Sequence, residues 1–201
     1  VDEALLMNAQ AKHRSGVQLL HLGHSSPLRS LAEPAVLVRT LELMAQWYDW
    51  IVLDCGCMTE RVTQAVIPPA STVLLVATLA LPAAQRAKQW VELLINTGVP
   101  SGKIVAVMNR CREDETAYRR QLKSLLPCRV GAYLPDSPEL AREALINGVA
   151  LVAVDSRAML ARCYGELAIS LSGQSVGASD RKAQGLLQSL QARFMGKRHA
   201  A

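Results

Sequence analysis

The sequence predicts an α/β protein with a doubly wound, mostly parallel sheet and helices on both faces. Three observations carry this reading. Strand-length apolar runs recur along the chain with little alternation, as expected for strands buried on both faces. Helical patterns of ordinary length lie between them. Three of the runs give way to polar residues, Asp54, Asn109 and the Pro135-Asp136 pair, at the edge where open α/β sheets bind ligands.

The predicted strands are Val17–Leu22, Trp50–Asp54, Thr72–Ala77, Lys103–Met108 and Arg129–Leu134. All are rich in Val, Ile and Leu. The predicted helices are Ala35–Trp47, Thr59–Ile67, Ala83–Asn96, Asp114–Leu125, Pro138–Ile146 and Ser156–Leu171. Thr97-Gly98 followed by Pro100 stops the third of these. Leu140, Ala144 and Leu145 give the helix after Asp136 an apolar stripe. Residues 172–180, SGQSVGASD, read as a flexible linker. The expected organisation is therefore a body over 1–171, a linker over 172–180 and a tail over 181–201.

The chain has 201 residues, half of them apolar, enough for one sizeable core. Its net charge of +5 sits entirely in the tail, where Arg181, Lys182, Arg193, Lys197 and Arg198 stand without an acid. Residues 1–180 are neutral, which argues against a broadly nucleic-acid-binding body. Five scattered cysteines fit a reducing compartment better than a disulfide framework. Cys55 and Cys57 lack the second pair that a zinc site needs, so small buried thiols are expected. No secretory leader pattern is visible, and the longest apolar stretch, Val73–Ala84, is too short to span a bilayer and contains Pro82.

Asp54 ends a run of four apolar residues, Trp50-Ile51-Val52-Leu53. An ionised carboxylate at a buried strand tip is costly unless a cation meets it. Asp54 therefore reads either as a Walker B-type acid near the Mg²⁺ of a nucleotide, or as a cap of the next helix. Asn109 offers both a donor and an acceptor to a purine edge; otherwise it is a turn residue. Asp136 is expected to cap the helix Pro138–Ile146 whatever else it does.

With these residues in place the sequence resembles the MinD/ParA family of deviant P-loop ATPases, within it the MinD and CpaE/TadZ pilus-assembly branch. The phrases that carry the resemblance are YDWIVLDCG (48–56), STVLLVATLALPAAQRAKQWVELL (71–94), KIVAVMNR (103–110) and YLPDSPELAREALINGVALV (133–152). They follow the family's order and spacing over about residues 48–171. The resemblance implies Mg-ATP hydrolysis, a nucleotide-dependent homodimer, and a regulatory or machinery protein partner. It also implies residence in the cytoplasm, at the periphery of the inner membrane. It makes Asp54 the Walker B acid linked to Mg²⁺ and Asn109 an adenine contact. Pro135 and Asp136 would line the base pocket.

The departures are equally specific. A G-K-[ST] turn, whose backbone amides and Lys neutralise phosphates, is missing from the sequence. The second acidic motif that precedes Asp54 in the family is missing too, and VQLLHLG (17–23) resembles a later strand. The expectation is an incomplete P-loop NTPase fold. It is either the C-terminal portion of a longer ATPase, which the initial Val favours, or a non-hydrolysing relative. Cys55-Gly56-Cys57 also replaces the family's usual small-residue turn. Without the Lys and the amide cradle, this chain by itself is not expected to transfer phosphoryl groups.

In the tail, Ala183, Leu186, Leu187, Leu190 and Phe194 fall within about 100° of one another on a helical wheel. Lys182, Arg193, Lys197 and Arg198 flank this stripe. The pattern suits an interfacial helix on anionic lipid, as in MinD-type proteins. A solubilising tail or a helix docked on a protein partner fits the same residues, and Gly185 and Gly196 weaken any helix. The four histidines show no triad spacing, Ser25-Ser26-Pro27 reads as a turn, and Arg119-Arg120-Lys123 reads as a solvated helix face. The leading expectation is part of a protein that localises membrane-associated machinery, in pilus assembly or division-site placement. A nucleotide-free scaffold of the same fold is the alternative. A ParA-like DNA partition protein comes third, disfavoured by the neutral body.

Overall fold

The computed structural model describes residues 3–21, 33–56 and 61–173. The chain forms two compact units, Val1–Ser71 and Thr72–Ala201. The predicted linker and tail, including Lys182, Leu186, Leu187, Leu190, Arg193, Phe194, Lys197 and Arg198, lie outside the described residues.

The first unit holds α1 (Glu3–Asn8), β1 (Ala11–Lys12), β2 (Gln18–Leu19), α2 (Pro34–Met44) and α3 (Arg61–Val66). β1 and β2 pair antiparallel, Ala11 opposite Leu19. The turn between them closes through Gly16, whose φ of 92° is open to glycine at no steric cost. Leu6 is fully buried, packed by Ala9, Leu20, Val36, Leu43 and Trp47. The Tyr48 hydroxyl lies 2.6 Å from both Gln10 Oε1 and Gln18 Oε1 and donates to one at a time. Pro34 opens α2 because its fixed φ suits a first helical turn.

The second unit contains β3 (Val73–Ala77), α4 (Leu81–Asn96), β4 (Ile104–Cys111), α5 (Thr116–Leu125), β5 (Arg129–Pro135), α6 (Pro138–Ile146), α7 (Leu151–Val154) and α8 (Met159–Leu171). Its sheet runs β3-β4-β5, all parallel. Ile104 to Met108 of the central strand are all buried, which is why that run is continuously apolar. Ala106 and Met108 pack on one face with Ala84 and Ala87 of α4 and Leu122 of α5. Val107 and Leu134 pack on the other with Leu160 and Leu167 of α8. Helices thus cover both faces, as the sequence predicts. At Gly131 a Cβ would overlap Val105 Cγ1, so a larger residue there would displace the Val105 side chain.

Most predicted elements form within a few residues of their expected ends. The apolar stretch Val73–Ala84 divides between β3 and the first turn of α4, and no helix among the described residues is long and apolar enough to cross a membrane. Two strand expectations are corrected. Of the run Val17–Leu22 only Gln18–Leu19 is a strand, and Leu22 is outside the described residues. Trp50–Asp54 is neither strand nor helix, and Trp50 and Val52 are 60% and 86% exposed. A buried strand needs a ladder partner as well as apolar side chains, and no described strand pairs with this run. β3 is also an outer strand among the described residues, with Leu74 and Val76 exposed on its α8-side face.

Candidate functional site

Because β4 and β5 are parallel neighbours, their carboxyl ends finish at one edge of the sheet. That edge brings Asn109 and Arg110, near the end of β4, beside Pro135 and Asp136, at the end of β5. The Asp136 backbone N–H donates to the Cys111 carbonyl at 3.0 Å and fastens the two tips together.

The ladder is irregular here. Met108 pairs with Tyr133 and Cys111 with Pro135, so Asn109 and Arg110 oppose Leu134 alone. This is a β-bulge, which turns side chains out of the regular pleat. Arg110 has φ 55°, the one positive value outside glycine among the described residues. Left-handed backbone costs a non-glycine residue about 1–2 kcal/mol. Part of this is offset by the Arg110 N–H, which donates to Asn109 Oδ1 at 2.9 Å. Asn109 is half-buried and Arg110 exposed.

Asp136 does not cap α6. Ser137 is the N-cap residue, with no side-chain cap bond. Proline at the start of α6 excludes helical backbone from the residue before it. Ser137 therefore takes the non-helical cap position, and Asp136 falls one residue too early. Its exposed carboxylate takes no hydrogen bond or ion pair among the described residues, which leaves it open to a ligand donor.

Beneath this edge Arg119 of α5 lies over the Tyr133 ring, 5.2 Å from its centre. Its Nη2 donates to the Arg112 carbonyl at 3.3 Å, and the Tyr133 hydroxyl donates to the Arg119 carbonyl at 3.4 Å. Arg119 is half-buried rather than solvated as the sequence suggests, while Arg120 and Lys123 are exposed. The signal was its position three residues before Leu122, on the inward face of α5. Burial pushes the Cys111 thiol above its ordinary pKa, partly countered by the Arg119 charge.

Asp54 belongs to the first unit and is exposed. Its Oδ1 accepts the Gly56 N–H at 3.1 Å, a local turn that φ 55° at Gly56 permits. The residues between Gly56 and Arg61, where the predicted helix Thr59–Ile67 would begin, lie outside the described residues. Burial, and then the Asp54 charge, raise the Cys55 thiol pKa.

The geometry suits the edge of a heterocyclic base: a carboxamide and a carboxylate at adjacent, bonded strand tips.

No family model matches the chain. It is 28% identical over 134 residues to the septum site-determining protein MinD of Thermotoga maritima, covering 64% of this chain and 49% of that protein. The chain thus spans about half the length of the curated relative it matches. Among solved structures it is similar to a ParA family ATPase from Chlorobium tepidum, with a TM-score of 0.73 at 19% identity, covering 85% of this chain and 70% of that one. It is also similar to the MinC:MinD cell division protein complex of Aquifex aeolicus, with a TM-score of 0.71 at 18% identity, covering 85% and 69%.

The parallel sheet flanked by helices defines an α/β fold of the P-loop NTPase type. Within that class the chain shares the fold of MinD and ParA ATPases and is similar in sequence to a MinD protein over 134 residues.

Proposed function

We propose that this chain forms the base-binding part of a MinD/ParA-type nucleotide switch that positions cellular machinery. The observation that supports this most directly is the bonded pair of strand tips, with Asn109 and the uncommitted Asp136 carboxylate on neighbouring strands. Asn109 holds the purine edge, and Pro135 and Asp136 flank it. On the resemblance alone, Asp54 would be the acid linked to Mg²⁺. Mg-ATP supplies the charge and the hydrolysable bond of such a switch; the chain's own residues bind and orient the base.

The likeness to MinD supports a role in division-site placement, and the likeness to a ParA family ATPase supports a related positioning role. Pilus assembly of the CpaE/TadZ kind is the finer alternative within this reading. A homodimer and a protein partner fit a switch of this class, the latter on the precedent of the MinC:MinD complex. The basic amphipathic tail supports attachment at the periphery of an anionic inner-membrane surface from the cytoplasmic side.

Calorimetry with Mg-ATP tests the proposal, on this chain and on the chain extended to its natural N-terminus. Binding that Asn109→Ala weakens supports it. Failure of both forms to bind sinks it. That result favours the second reading, a nucleotide-free scaffold, to which the missing G-K-[ST] turn already points; liposome co-sedimentation then tests the tail.

A further inference from the structure

α6 ends on two apolar side chains that the fold leaves in water. Leu145 is 82% exposed and Ile146 75%, while their neighbour Ala144 is buried. Glu139, Arg142, Glu143 and Ile146 recur at the spacing that puts them on one face of the helix, with Leu145 beside it. Together with Asn147 they line a groove of about 350 Å³. The face carries two carboxylates against one guanidinium, and none of the three forms an ion pair among the described residues. A surface that is acidic and apolar at once suits a partner that is basic and apolar.

The chain itself holds such a segment. Residues 181–201 contain Arg181, Lys182, Arg193, Lys197 and Arg198 with no acid, and the apolar stripe Ala183, Leu186, Leu187, Leu190 and Phe194. A helix this short, with Gly185 in it, is marginal alone in water and needs a surface to form on. The reach also fits. The Arg129 guanidinium donates to Ser170 Oγ at 3.3 Å, so α8 ends beside the start of β5. α6 begins just past the end of β5, a strand of seven residues and therefore about 23 Å long. Residues 174–180 can bridge up to about 25 Å when extended.

We propose that residues 181–201 dock on α6 of their own chain, the apolar stripe against Leu145 and Ile146 and the basic side chains beside Glu139 and Glu143. Docking takes both apolar surfaces out of water. The contact needs no nucleotide.

The full 201-residue chain is tested without lipid or nucleotide, by amide exchange read on peptides from 183–194. Slow exchange is expected in the wild type, and faster exchange in Ile146→Lys and Glu143→Lys. Arg142→Glu, which adds an acid to the face, is expected to slow exchange further. All three positions are exposed, and melting curves check that each variant folds. Exchange at the unprotected rate in the wild type overturns the proposal. Protection that all three variants leave unchanged overturns it too, because the tail then docks elsewhere or folds without α6. Carbodiimide coupling of Lys182 or Lys197 to Glu139 or Glu143 is then mapped in a mixture of isotopically light and heavy protein. Links confined to one isotope support docking within the chain. Links that mix the isotopes assign the tail to a second copy and overturn it.

Discussion

The Arg119 guanidinium sits over the face of Tyr133, and the Tyr133 hydroxyl bonds back to the Arg119 carbonyl. One residue thus ties α5 to β5 twice, two residues before the Pro135 tip. It also holds the Arg112 carbonyl in the loop that follows Asn109 and Arg110. The Arg119–Tyr133 pair is a strut under the candidate site. A cation over an aromatic ring is worth about 0.5–1 kcal/mol when exposed, and more when desolvated. A double-mutant cycle on Arg119→Ala and Tyr133→Leu, read by urea unfolding, is expected to give a coupling of at least that size. Additive effects would remove the strut.

Gly131 lies against the Val105 side chain at a register shift between β4 and β5. Gly131→Ala places a methyl group against Val105 Cγ1, which belongs to a buried and stiff β-branched side chain. Overpacking of this kind costs about 1–3 kcal/mol. The melting temperature is expected to drop, and the double variant with Val105→Ala is expected to recover part of the loss. A neutral single variant would show that the two strands separate freely.

Burial, and after it the Asp54 charge, raise the Cys55 thiol pKa. Asp54→Asn removes the charge and keeps an oxygen for the Gly56 N–H. More thiolate then forms at a given pH below the ordinary thiol value of 9.0. Alkylation of Cys55, followed by peptide mass spectrometry, is expected to speed up in the variant. An unchanged rate would mean that the two groups do not sense each other.

Burial raises the thiol pKa values of Cys111, Cys128 and Cys163 in the folded chain. The neutral thiol is favoured by folding, so this contribution is complete below the ordinary value of 9.0 and is lost as pH rises through the raised folded values. Stability is therefore expected to fall on the alkaline side. Melting curves taken across that range, with Cys111→Ala as the flatter control, check the sign.

β3 carries five apolar residues and no charge, with its outer edge unpaired among the described residues. Such an edge invites pairing with another chain. Val76→Lys, at a position 60% exposed, is expected to reduce self-association in sedimentation velocity without lowering the melting temperature. Undiminished association would place the sticky surface elsewhere.

Local pattern sufficed for the second unit. The apolar runs of β3, β4 and β5, with helical patterns between them, identified a parallel sheet covered on both faces, because burial on two faces demands continuous apolar residues. The candidate residues Asn109, Pro135 and Asp136 were legible as polar punctuation after such runs. Arg119 was misread because a charge run says nothing about which member lies over an aromatic ring.

What the sequence by itself determined was therefore the class of fold, the strand order in the second unit and the polar strand tips that meet at one sheet edge. The tertiary structure alone decided three things. It left Trp50–Asp54 out of any described ladder, since strand formation depends on a partner that composition does not reveal. It placed Ser137 rather than Asp136 at the head of α6, since the proline ring dictates the backbone before it. It turned Arg110 left-handed, since a bulge arises from the register between two strands, and register is a relation between segments rather than a property of either one.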